Sequence, residues 1–159
     1  MSTTECTRIA DALVSALNGE AWYGDSLREI LDKVTAPQAQ ARPIANAHSV
    51  WELVKHIEAW VILAEGAVQG KPIPAWSTMP KEMDWPPVNG TSEQAWKQAV
   101  QSFFASHLRL ADAIKSLSDD RLQATVPGRP YNFYHLFQGM IQHAVYHAGQ
   151  ISLLKKALM

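Results

Sequence analysis

Three of the six histidines in this 159-residue chain stand at spacings that would let imidazoles hold a metal ion. Near the C-terminus, positions 136, 140, 143, 147, 151, 154 and 158 advance by steps of four and three and so trace one helix face. They read Leu136, Met140, His143, His147, Ile151, Leu154 and Leu158. His143 and His147 thus lie one turn apart on the stripe that faces a core, where side chains at i and i+4 converge. The same stepping earlier picks out Leu53, His56, Trp60, Leu63 and Ala67, which turns His56 inward too. Three neutral imidazoles aimed into one helical interior can hold a divalent ion, with a fourth position left to water. The alternative is a set of buried structural histidines, which would need hydrogen-bond partners that so apolar a stripe does not offer.

Other side chains have candidate roles around that set. His107 shares a stripe with Trp96, Val100, Phe103, Leu110 and Ile114; it is expected as a core histidine, with a fourth ligand as the alternative. Gln150 follows His143 by seven residues and shares its face, so it is the candidate catalytic residue, able to hydrogen-bond a bound water or substrate. Its other role is a polar residue at the bundle edge. Trp60 and Tyr146 are candidate pocket walls or plain core, and Trp76 and Trp85 are candidate covers. His48 and His135 are expected to be structural or exposed. Arg42 and Arg129, each beside a proline in a loop, are candidates to meet a substrate carboxylate, but exposed arginines are too common for this to carry weight. Cys6 is alone, so there is no internal disulfide and any metal site must use His or carboxylates.

The elements that must position these residues read as helices. Capping boxes are predicted at Ser2–Glu5, Ser26–Glu29, Ser49–Glu52 and Thr91–Gln94, with Asn132 capping the last helix and Tyr131 and Leu136 placed as a staple. The first two segments read as one broken arm ending at Asn18-Gly19 and near Val34. The stretch 36–48 reads as a loop, and 70–90, with prolines at 72, 74, 80, 86 and 87, as a connection through which no helix passes. A 20-residue helix spans ~30 Å and a 21-residue connection reaches ~60 Å, so the chain can return along the whole bundle. The expected fold is all-α: a four-helix bundle, up-down-down-up, with an extra short helix near the N-terminus and a long Pro-rich crossover. That crossover is expected to bring Trp85 over the site.

Composition sets outer limits. With 47% apolar and 18% charged residues the chain is expected to form one globular domain over 1–159. Fourteen Lys and Arg against fifteen Asp and Glu leave a charge of −1, no footprint for nucleic acid. No run reaches the ~20 apolar residues of a membrane span. The start lacks a basic and an apolar region, and a reducing cytoplasm is expected.

Three motifs then carry a resemblance: GEAWYGDSL at 19–27, AHSVWELVKHI at 47–57 with Trp60 after it, and HAVYHAGQI at 143–151. The chain resembles the DinB/YfiT family of metalloenzymes over residues 19 to about 158. The resemblance implies an up-down-down-up bundle and a zinc or nickel site on His56, His143 and His147. It also implies a small-molecule substrate, a homodimer and, as in the wider superfamily, a thiol-dependent S-transferase, with a hydrolase as the neighbouring activity and a low-molecular-weight thiol as possible co-substrate. The alternatives kept open are a metal-holding protein without catalysis and a helical ligand-binding or interaction module.

Overall fold

The first amphipathic segment is α1 (Glu5–Asn18), which turns Ile9, Leu13 and Leu17 to one side. The computed structural model describes residues 3–158, so the expected cap Ser2 lies outside the described residues. The helix is capped by Thr4 instead, whose hydroxyl accepts from the Thr7 N–H. Asp119 explains the later start, because its carboxylate accepts the N–H groups of Glu5 and Cys6 at 2.9 Å each. Glu5 pairs with Arg8 rather than reaching back.

Helix α2 (Leu27–Leu31) carries the Ser26–Glu29 box as expected, parted from α1 by an isolated bridge between Ala21 and Gly24. The stretch 36–48 is not wholly loop. It opens with α3 (Ala36–Gln40), capped by Thr35 and Gln38, because Pro37 falls in the first turn, where a missing N–H costs nothing. Helix α4 (Val50–Val68) starts at the Ser49–Glu52 box and stops before Gly70, whose φ of +89° suits a residue without Cβ.

A second correction falls in the Pro-rich crossover. One helical turn, α5 (Lys81–Asp84), fits between Pro80, its cap, and the prolines at 86 and 87. Proline bars the interior of a helix, not its entry. Helix α6 (Glu93–Lys115) is capped by Ser92 rather than Thr91, and Glu93 turns away to accept the Ala36 N–H at 2.7 Å. A 3-10 turn (Asp119–Gln123) follows, and α7 (Phe133–Ala157) begins at Asn132 as expected. Among the described residues there are seven α-helices and no strand.

The four long helices pack in a ring: α1 touches α6 and α7, and α4 touches the same two. Along α4 and α6 the partners rise together, Trp51 with Trp96, Glu58 with Ser102, Glu65 with Arg109. Along α4 and α7 they run oppositely, His56 with His147 and Trp60 with His143. Buried apolar side chains form two clusters, and the change from one to the other falls between Ile57 and Trp60, Phe104 and Leu110, and Met140 and Ala144. His56, Glu58, Ser106, His107 and His143 occupy that level, a polar layer between two apolar ones. No described helix is long and apolar enough to cross a membrane.

Candidate metal centre

His56 comes from the second turn of α4, His143 and His147 from the middle of α7. Their ring edges meet. His143 Nε2 lies 2.9 Å from His56 Nε2 and 3.0 Å from His147 Nε2, and one nitrogen of each ring lies within 4.8 Å of the others. The far nitrogens settle which atoms carry protons. His56 Nδ1 lies 2.7 Å from the Asp84 carbonyl oxygen, and His147 Nδ1 lies 2.6 Å from Gln150 Oε1. Both oxygens only accept, so both Nδ1 atoms donate and both Nε2 atoms carry bare lone pairs.

A divalent ion fits this set for a physical reason. His143 Nε2 stands between two bare nitrogens and can offer a proton to one of them only. The other contact then leaves a bare lone pair ~3 Å from a nitrogen that has no proton for it, and if His143 Nε2 is itself bare both contacts oppose lone pairs, which a shared cation relieves and a structural role does not. Protonation is opposed at each ring. Burial, then the neighbouring His147 and His56, push His143 down to about 3, and burial lowers His56 and His147 as well. The neutral imidazole is the ligating form.

Aromatic rings frame the three histidines. Trp85 stacks on His56 with centroids 3.9 Å apart and planes 5° from parallel, and His48 stacks on its other side at 3.6 Å. The Trp60 indole N–H donates to Asp84 Oδ1 at 2.7 Å, while Trp76 packs on Trp60 at 5.1 Å. A cavity of about 400 Å³ reaches His56 and His143 between walls that include Trp60, Trp76, Tyr131 and Met140. Burial pushes the Tyr131 phenol up, and the Arg129 charge opposes it.

The remaining candidates lie around this centre in different ways. Gln150 anchors His147, and its amide nitrogen donates to the Tyr146 hydroxyl at 3.2 Å on the exposed side of α7. His107 is fully buried outside the histidine cluster, donating from Nδ1 to the Phe103 carbonyl, with Nε2 unpartnered among the described residues. His48 and His135 are exposed. Two residues escaped the periodicity. Asp84 belongs to a turn inside a proline-rich stretch, where helical spacing gives no signal. Arg129 is not an exposed cation: only 6% of it is accessible, a correction that follows from the turn burying it against Trp60 and Trp76.

No curated protein and no solved structure matches this chain. A family model described as the DinB superfamily matches residues 20–151, more than four-fifths of the length and all three clustered histidines. By that match the chain belongs to the DinB superfamily.

Proposed function

We propose that the protein is a metal-dependent enzyme acting on a small molecule at the three-histidine centre, as a thiol-dependent S-transferase or a hydrolase. The observation that carries this is the meeting of three neutral imidazole edges, two with bare nitrogens, at the end of a cavity of about 400 Å³. A bound zinc or nickel ion would supply Lewis acidity, drawing the pKa of a ligated water or thiol toward neutrality. His56, His143 and His147 hold it, and Asp84 and Gln150 keep two of the rings in the ligating tautomer. Trp60, Trp76 and Met140 give the substrate an apolar wall.

The proposed frame is a single domain, an up-down-down-up four-helix bundle. Pairings that rise together along α4 and α6 support parallel neighbours, and those opposed along α4 and α7 support antiparallel ones. Lys115 on Asp11, and Asp119 on Glu5, support α1 running against α6. A homodimer belongs to the same proposal.

Elemental analysis of full-length protein purified without a metal-affinity tag tests the centre. About one divalent ion per chain is expected, with at least tenfold weaker binding in the His143→Ala, His147→Ala protein. Stoichiometric metal in that double variant overturns the assignment. Screening thiols with electrophiles, and esters or amides without thiol, then separates transferase from hydrolase.

A further inference from the structure

We infer that the cavity beside the histidines takes a small monocarboxylate, and that Arg129 is the group that binds its carboxylate. The inference rests on that cavity being the substrate pocket. The turn that carries Arg129 is held firmly. Val126 N–H donates to the Tyr131 carbonyl at 2.9 Å, Arg129 N–H to the Val126 carbonyl at 3.0 Å, and Ile73 N–H to the Pro127 carbonyl at 3.0 Å. Gly128 has φ +79°, and a Cβ there would stand 2.3 Å from the Ile73 carbonyl oxygen, so the turn lies flat on the Pro-rich segment with no room for a side chain.

That clamp buries Arg129 without giving it a counter-charge. Its Nε and Nη2 atoms are out of solvent and have no hydrogen-bond partner among the described residues. Its guanidinium carbon lies 4.7 Å from the Trp76 ring centroid and 5.7 Å from that of Trp60. Aromatic faces return only part of the cost of taking a cation out of water. The two idle nitrogens are the adjacent pair along one edge of the guanidinium, whose parallel N–H bonds match the two oxygens of a carboxylate.

Trp60 and Trp76, the rings against which Arg129 packs, are also cavity walls. Trp60 is buried and pinned by its bond to Asp84, whereas Trp76 is 67% exposed on the crossover. Arg129 does not itself line the cavity but packs on two rings that do, so a ligand reaches its idle edge by displacing Trp76, the more exposed of the two. No Lys or Arg lines the cavity, so apart from an ion held by the histidines Arg129 is the one fixed cation packed against its walls, which favours a monoanion over a phosphate at that end. In the metal-free protein Asp84, on the wall beside His56, repels a second acid at the histidine end. The ligand that fits has one carboxylate beside Trp76 and an uncharged end toward the histidines.

The test titrates full-length protein with phenylacetate and with its neutral analogue phenylacetamide, as purified and again after chelation. Phenylacetate is expected to bind at least about tenfold more tightly, before and after chelation, with both ligands shifting the indole N–H resonances of Trp60 and Trp76. Arg129→Gln is expected to bring the two affinities within about twofold while leaving that of the amide unchanged. Where Arg129→Gln fails to fold, Arg129→Lys answers, since it keeps the charge and loses the paired edge; a preference reduced several-fold supports the inference and an undiminished one overturns it. Equal affinities in the wild type, tighter binding of phenyl phosphate, or resonance shifts away from the two tryptophans also overturn it. Phenylacetate binding that vanishes on chelation and in the His143→Ala, His147→Ala protein assigns the anion to the metal and removes Arg129. Failure of the metal centre itself leaves the comparison in chelated protein intact, so the two failures are distinguishable.

Discussion

A histidine ligand is aimed by whatever holds its other nitrogen. Gln150 holds His147 in this way, with an amide oxygen 2.6 Å from Nδ1, so its amide is committed to the ligand rather than free in the cavity. Gln150→Leu removes the acceptor that holds that Nδ1 and is expected to weaken divalent-ion binding by about tenfold to a hundredfold, measured by competition with a chromogenic chelator. Gln150→Glu keeps an acceptor there and is expected to restore most of the affinity. Equal affinities in all three proteins would show that Gln150 only decorates the edge of α7. At this scale the sequence was legible for the ligands, since helical spacing converts directly into a shared face. It was silent on Asp84, which serves as an anchor through its backbone carbonyl, a group every residue possesses.

At the scale of elements, the single turn of α5 decides how the crossover meets the site. Pro80 starts the turn, and Trp85 leaves it directly onto His56, at ring contact over the whole face. Trp85 therefore covers the ligand ring without coordinating anything. Trp85→Ala is expected to raise azide affinity for the cobalt-substituted protein several-fold while changing cobalt affinity by less than about threefold, because the ligands and their anchors stay in place. Identical azide titration curves with and without Trp85 would remove the cover. The boxes at Ser26 and Ser49 and the cap at Asn132 were legible because a cap uses residues within one turn of each other. The starts of α1 and α6 slipped by a residue or two: Asp119 reaches the first from elsewhere in the chain, and at the second the Ser92 hydroxyl takes the Ala95 N–H in place of the Thr91 box.

Over the whole molecule, a layer of buried neutral histidines makes stability depend on pH. Burial pushes His107 down to about 4, its bond to the Phe103 carbonyl opposing this, and His143 lies lower still, at about 3. Both would titrate near ~6.5 in the unfolded chain. The unfolded state then binds more protons between those values, so stability is fully present above ~6.5 and falls as pH drops toward 4 and then 3. For His107 alone the loss is about 3 kcal/mol. Urea unfolding of metal-free protein between pH 7 and pH 4 measures it, and His107→Leu is expected to flatten the acid slope; an unchanged slope would mean that His107 takes up a proton in the folded state.

Local pattern alone established that this chain is helical, where its four long helices lie to within a residue or two, and that His56, His143 and His147 face inward. These properties depend on hydrogen bonds and side-chain directions within a few residues, and the 3.6-residue period writes them into the order of amino acids. The family also was legible, in three motifs that, but for Gly19, lie inside the matched span. Tertiary structure alone decided that the two inward faces meet so that three histidines converge, that His107, on an equally apolar stripe, stays outside the cluster, and that Arg129 is buried against two tryptophans. Those outcomes depend on the rotation and axial level of one helix against another and on where a long proline-rich segment lies down. Such quantities are set by packing between residues 40 to 90 positions apart, on the scale of the separations joining His56 to His143 and Ala36 to Glu93, and no local period records them.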